Sequence, residues 1–279
     1  MIQDIFPHRL EHTFLNSSPV SDDYIFSFQN EKVLLKICEN ENLKIPTLSD
    51  FQCLCGDIKS SAVFLLCVDK TPIYLLQAQN MITLEQQCLR YFPIQALNRI
   101  LPKWSYFAGI TALHLMHWYE RNIYCGKCGD LLENSRKERA LLCQNCGNIV
   151  YPHIAPVVMV AVVNEDKLLM TKYANRDISQ WVIISGFAEI GETLEEAAKR
   201  EVFEETGINI KDLKYFGSQP WGFSDSVIVG YIASLDGSDE IHIDKKELSE
   251  AAWHLRSDLP KELTDISITY EMIEALRIR

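Results

Sequence analysis

The sequence predicts an α+β protein in three parts: an N-terminal α/β domain over residues 1–120, a cysteine ribbon over 121–153, and a C-terminal α/β/α sandwich with a mixed sheet over 154–279. Three observations predict it. Two CxxC pairs stand close together between Cys125 and Cys146. Strand-like apolar runs dominate after Ile154. Within that strand-rich part, residues 186–208 carry seven glutamates between Glu189 and Glu205 at helical spacing. With 279 residues, 47% apolar and 23% charged, the chain has the size and composition of a globular protein of more than one domain.

In the first part, Val33–Cys38, Ala62–Val68 and Ile73–Leu76 read as strands, the last two joined by a turn at residues 69–72. Thr83–Ile100 reads as a helix that Pro93 kinks or breaks. Trp104–Arg121 reads as a longer helix, with Phe107, Ala108, Ile110, Leu115 and Trp118 facing a core. His114 and His117 lie on it at i, i+3, but no third ligand accompanies them, which favours a structural role. Cys38, Cys53, Cys55, Cys67 and Cys88 read as small core or loop residues.

The remaining four cysteines are different. Cys125-Gly-Lys-Cys128 and Cys143-Gln-Asn-Cys146 are separated by fourteen residues, and each pair is followed by glycine. Four thiolates at this spacing form a closed tetrahedral shell for one structural Zn²⁺ per chain, with metal–sulfur distances of about 2.3 Å. A redox pair would not need a second knuckle with glycine at the same offset. The segment 129–142 between the knuckles is too short to fold without the metal. Hence the middle part is read as a zinc ribbon.

In the third part, Val157–Val163 and Lys167–Tyr173 predict a hairpin around residues 164–166, and Trp181–Ile184 a strand leading into Gly186. Ser226–Ser234 and Ala251–Leu255 continue the sheet, and Ile268–Arg277 closes it as a helix. Between them lies the acidic helix. Thr193 is its N-cap, Glu196 completes a capping box, and Gly207 supplies the left-handed end. Leu194, Ala198 and Val202 form an apolar stripe, and Gly186 and Gly191 bracket a loop before the cap. Glu201, Glu204 and Glu205 project from one face, where Arg200 can pair with Glu204 at i, i+4. Unpaired carboxylates this close repel unless a hard cation collects them, and oxygen ligands suit Mg²⁺ or Mn²⁺.

Residues 186–208 also follow the pattern Gly, five residues, Glu, seven residues, Arg-Glu, an aliphatic, any, Glu-Glu, any, Gly, an aliphatic. That resembles the box of the Nudix hydrolases, which cleave a nucleoside diphosphate linked to another moiety. A zinc ribbon directly before such a domain, with an α/β domain in front, is similar to the NADH pyrophosphatase branch of that family. The branch carries a motif SQPWPFPxS just after the box, and Ser218, Gln219, Pro220, Trp221, Phe223 and Ser226 match it. The resemblance covers residues 125–279 closely and the first 120 loosely.

The resemblance implies hydrolysis of the pyrophosphate of NADH or NAD to nicotinamide mononucleotide and AMP. It implies that Glu201, Glu204 and Glu205 bind catalytic Mg²⁺ or Mn²⁺, joined by Glu247, with Glu205 or Glu247 as the general base. It further implies that Phe187 and Tyr151 clamp the nicotinamide ring, Tyr151 reaching from a partner subunit of a homodimer, and that Gln219, Trp221 and Ser226 belong to the substrate loop. Gly222 and Ser224 stand where the motif has prolines, which predicts a more flexible loop and weaker selectivity for the dinucleotide. The same bond occurs in NAD-capped RNA and, within the class, in ADP-ribose and diadenosine polyphosphates. A nucleotide-sensing binding protein is the alternative from another class, but such proteins lose box glutamates, and all are present here.

Composition bounds the partners. A formal charge of −11 disfavours tight binding to nucleic-acid backbones. No stretch approaches the roughly 18–20 apolar residues of a membrane helix. The N-terminus lacks a basic head followed by an apolar core, and nine cysteines with a metal site suggest a reducing compartment, so cytoplasm is expected.

Overall fold

Along Ala155–Asn164 both alternating sets of side chains are apolar, a pattern that a strand satisfies with a packed layer on each face. The structure, a computed structural model, describes residues 1–51, 58–77, 88–100, 102–174, 180–259 and 266–277. On one face of this strand Val157, Met159 and Ala161 are buried with Ile268, Met272, Ile273 and Leu276 of the C-terminal helix. On the other, Val158, Val160 and Val162 are buried with Ala197, Ala198 and Val202 of the acidic helix.

The sheet runs in the order Ile210–Trp221, Ser226–Leu235, Ala155–Asn164, Lys167–Tyr173, Leu248–Leu255. Ala155–Asn164 is parallel to Ser226–Leu235 and antiparallel to Lys167–Tyr173 and Ile184–Phe187, so the sheet is mixed. This is the α/β/α sandwich expected from the sequence.

The chain forms two units. One contains Met1–Ile2, Ile154–Trp221 and Ser226–Arg279; the other contains Gln3–His153 and the turn Gly222–Asp225. The ribbon and the N-terminal region thus belong to one unit. Here two four-stranded sheets accompany the helix Trp104–Arg121, which buries Trp104, Phe107, Ile110, Leu113, Leu115, Met116 and Trp118. A core of Ile25, Leu34, Phe51, Phe64, Tyr74 and Leu89 packs beside them.

Three expectations need correction, and one strand had no signal in the sequence. Residues 89–93, read as helix, form a strand, Leu89–Pro93, paired with Lys32–Ile37; Ile94–Arg99 is a 3₁₀ turn. Pro93 ends the ladder rather than kinking a helix, as its missing N–H requires. Residues 83–87 of that expected helix, and Cys53 and Cys55, lie outside the described residues. The strand expected at Trp181–Ile184 lies three residues later, at Ile184–Phe187, with only Val182 bridging Thr171. Gly186 therefore sits within a strand opposite Val158, not in a loop. Finally, Ile210–Trp221 is a twelve-residue strand. Only Ile210 and Gln219 are buried in it, so it shows none of the alternation by which strands are recognised.

Candidate active site and metal centres

In the ribbon, the backbone positions the four sulfurs. After each knuckle a glycine turns left-handed, Gly129 at φ 81° and Gly147 at φ 70°. Its N–H donates back to the carbonyl of the first cysteine, Gly129 to Cys125 at 2.8 Å and Gly147 to Cys143 at 2.9 Å. That is why glycine recurs at the same offset. Cys125 and Cys146 sulfurs stand 3.6 Å apart, Cys128 and Cys143 3.4 Å, and all four lie within 4.8 Å of one another. A tetrahedral Zn–S₄ shell places its sulfurs about 3.8 Å apart, so the four thiolates fit zinc. The Lys127 N–H donates to Cys125 Sγ at 3.4 Å, and with burial opposing it this bond leads in lowering the thiol to about 6. Cys38, Cys67 and Cys88 are free and outside this cluster.

The acidic helix, Leu194–Thr206, begins and ends as its sequence dictates. Thr193 accepts from the Glu196 N–H, Glu196 accepts from the Thr193 N–H, and Gly207 adopts φ 71°. Val202 and Ala198 face the sheet, which brings Glu201 against the strand Ile184–Phe187. A Cβ on Gly186 would overlap the Glu201 carboxylate. The glycine that opens the box thus makes the hollow in which Glu201 is seated. Burial pushes Glu201 above the ordinary carboxylate range against the opposing pull of Arg200; the charges of Glu204 and Glu247 add to it.

Arg200 is more than the i, i+4 partner of Glu204. Its Nη1 donates to Glu204 at 3.0 Å and to Glu201 at 2.8 Å, its Nε and Nη2 grip Glu192 at 2.6 and 2.9 Å, and Nη2 also reaches the Phe187 carbonyl at 3.0 Å. The bonds from Arg200 hold Glu192 down at about 2. One guanidinium therefore ties the loop before the helix, the helix face and the neighbouring strand together. Glu205 is buried, with 3% exposure, and Glu204 is open to solvent. The Asp244 N–H donates to the Glu205 carbonyl and the Glu247 N–H to the Asp244 carbonyl, which carries exposed Glu247 toward the helix end. Among the described residues, only the four cysteines gather within 4.8 Å; the glutamates do not.

The expected substrate residues divide. Phe187 and Tyr151 are each 54% exposed, as a ring that stacks on a ligand must be. Trp221 is half-buried against the sheet core. Gln219 and Ser226 are not on an open surface. Gln219 is fully buried, its amide donating to the Ile266 carbonyl and accepting from the Ile268 N–H, so it fastens the C-terminal helix. Ser226 is 2% exposed and donates to the Trp221 carbonyl at 3.4 Å.

Nor is the stretch from Ser218 a flexible loop. Ser218–Trp221 completes a strand, and Gly222–Asp225 is a tight turn held by its own unit. His117 Nδ1 donates to Asp225 at 2.8 Å and Arg121 also pairs with it. Burial alone would raise the Asp225 carboxyl, but His117 and Arg121 hold it below the ordinary range. His114 Nε2 bonds the His153 carbonyl at 2.8 Å, so both histidines are structural. A Cβ on Gly222 would overlap the Ile110 carbonyl oxygen and stand 2.9 Å from its Cγ2. Glycine here is required by close packing, which overturns the expectation of a loosened loop.

Comparison with known proteins accords with this geometry. Residues 153–276 match the family model of the NUDIX domain. Proteins named NAD-capped RNA hydrolase NudC, from Salmonella typhi and Salmonella enteritidis PT4, are each 43% identical over 148 residues, 53% of this chain. The match spans 57% of their own length. Among solved structures, a NUDIX hydrolase from Nitrosomonas europaea aligns with a TM-score of 0.48 at 20% identity, covering 55% of this chain and 89% of that one. No described helix is long and apolar enough to cross a membrane.

Proposed function

We propose that this NUDIX-domain protein hydrolyses the central pyrophosphate of NADH or NAD, yielding nicotinamide mononucleotide and AMP. The observation that carries the proposal is Glu201 seated in the Gly186 hollow of a helix that keeps every glutamate of the box. Glu201, Glu204 and Glu205 would hold divalent Mg²⁺ or Mn²⁺ with Glu247, and the chemistry of the donor set fits a hard cation. When bound, such ions polarise phosphoryl oxygens and lower the pKa of a bound water.

The chain's own residues do the rest. Arg200 fixes Glu201 and Glu204 and frames the strand end that presents Phe187. Glu205 or Glu247 takes the proton of the attacking water; comparing Glu205→Gln with Glu247→Gln in a pH–rate profile separates them. Phe187 offers a stacking face to the nicotinamide ring, and Tyr151 would reach the same ring from a partner copy in a homodimer. One zinc per chain in the ribbon and a cytoplasmic location belong to the same reading.

A second reading, removal of the NAD cap from RNA, is favoured by the name of the curated relatives. The bond cleaved is identical, and the charge of −11 weighs on the side of the small dinucleotide. The test is product identity after incubation with NADH, NAD, ADP-ribose and NAD-capped RNA under Mg²⁺ or Mn²⁺. Nicotinamide mononucleotide and AMP from the free dinucleotides, at a higher kcat/KM than from capped RNA, is the expected outcome. Efficient cleavage of capped RNA alone would favour the second reading, and no cleavage of any of the four would refute both.

A further inference from the structure

The N-terminal unit contains a cavity of about 420 Å³, within the size range of small-molecule sites. It is lined from three places in the chain: residues 14–18, 59–64 and 134–140, with Tyr119 of the long helix. Its most unusual member is Arg139. This half-buried guanidinium donates to the Leu65 carbonyl, yet among the described residues no carboxylate pairs with it. Leaving a partly desolvated cation without an anion is costly, and folded chains seldom do it without a reason. Burial lowers the Arg139 pKa and pushes the neighbouring Tyr119 hydroxyl up to about 12, so neither group is fully hydrated.

The surroundings favour an anion further. Lys59 and Arg136 also line the cavity, and the acid that lines it, Glu138, accepts from the Tyr151 hydroxyl at 3.2 Å. In a chain of net charge −11, three cations against one engaged acid is a local reversal of sign. The cavity is also lined by two aromatic rings, Phe14 set edge-on to Phe64 at 6.4 Å. A guanidinium fork suits a phosphate, and an aromatic wall suits a flat ring.

We propose that this cavity binds a small phosphorylated molecule of mononucleotide size, its phosphate received by Arg139 with Lys59 and Arg136, and its ring lying against the Phe14–Phe64 wall. The site lies wholly within the N-terminal unit and does not depend on the hydrolytic reading. Its volume suits one nucleotide, not a strand.

Hydrogen exchange read by mass spectrometry on the full chain tests this, because it reports the cavity separately from the acidic helix. The probes are AMP, inorganic phosphate and a short single-stranded RNA. Saturable protection of peptides spanning residues 58–64 and 134–140 by AMP is expected, with phosphate weaker. Arg139→Gln should weaken that protection at least tenfold in apparent Kd, and Arg139→Lys should fall between. Protection over residues 186–206 should be unchanged by either variant. Should Arg139→Gln not fold, the paired exposed-side variant Lys59→Ala with Arg136→Ala must weaken AMP binding severalfold. Absence of protection at the cavity, equal protection in the variants, or tighter binding of RNA than of AMP would overturn the proposal.

Discussion

The ribbon and the acidic helix are both collections of like-charged ligand groups, and the chain handles their repulsion in different ways. In the ribbon, left-handed glycines and their backbone hydrogen bonds bring four sulfurs within 4.8 Å of one another. On the helix, carboxylates stay apart, and Arg200 occupies Glu192, Glu201 and Glu204 at once. Backbone geometry makes a closed shell suited to a permanent structural ion. A side-chain counter-cation holds an open acidic face that can exchange ions and admit a polyanionic substrate. On the proposed reading, the one contributes to folding and the other serves the chemistry.

The largest expected effect separates the two. Cys143→Ser, or removal of zinc by a strong chelator, should unfold the ribbon, because a structural thiolate site contributes on the order of 10 kcal/mol of apparent binding free energy to folding. Elemental analysis of fresh protein should find one zinc per chain. A chain without zinc but with an unchanged Tm would break the comparison.

Next comes the hollow under Glu201. Gly186→Ala should displace the Glu201 carboxylate and lower kcat by about a hundredfold, since misplacement of a reacting group by about 1 Å has that scale of effect. The Tm should change little, and KM should change less than kcat. Wild-type kcat in this variant would show that Glu201 is not held there for catalysis.

The third effect is on stability. Gly222→Pro should cost about 1–3 kcal/mol by overpacking against Ile110, read as a lower denaturation midpoint. A gain in stability or in selectivity for NADH would mean that the turn is looser than its packing.

The smallest effect is on pH dependence. Glu192 is held at about 2 against an ordinary value of 4.5, so its pairing with Arg200 contributes stability that is fully present above pH 4.5 and lost as pH falls toward 2. Glu192→Gln should flatten that part of the acid-unfolding curve. An identical curve would assign Arg200 to Glu201 and Glu204 alone.

Much of this was legible in the sequence, for stated physical reasons. Capping at Thr193 and Glu196, the left-handed Gly207, and the two knuckles are local rules in which a residue type answers a backbone need. The long helix Trp104–Arg121 and the hairpin around residues 164–166 followed from apolar periodicity. The illegible parts are tertiary. The strand Ile210–Trp221 carries its pairing in the backbone while its side chains stay mostly exposed. Gly186 read as the edge of a loop and Gly222 as a flexible point, yet each is a place where a neighbouring group comes too close for a Cβ. Gln219 and Ser226 match a substrate motif, and the sequence gives no sign that both are buried or that Gln219 bonds the start of the C-terminal helix. Arg139 gave no signal at all, because the absence of a paired carboxylate among the described residues is visible only once the chain is folded.

The central claim, that the acidic helix is the seat of the chemistry and the ribbon is not, is tested most directly by the turnover of Glu205→Gln on NADH at saturating Mg²⁺ or Mn²⁺, in protein that retains its zinc. A fall of about 10²–10³-fold in kcat with an unchanged Tm is the predicted result. Turnover near that of the wild type would contradict it.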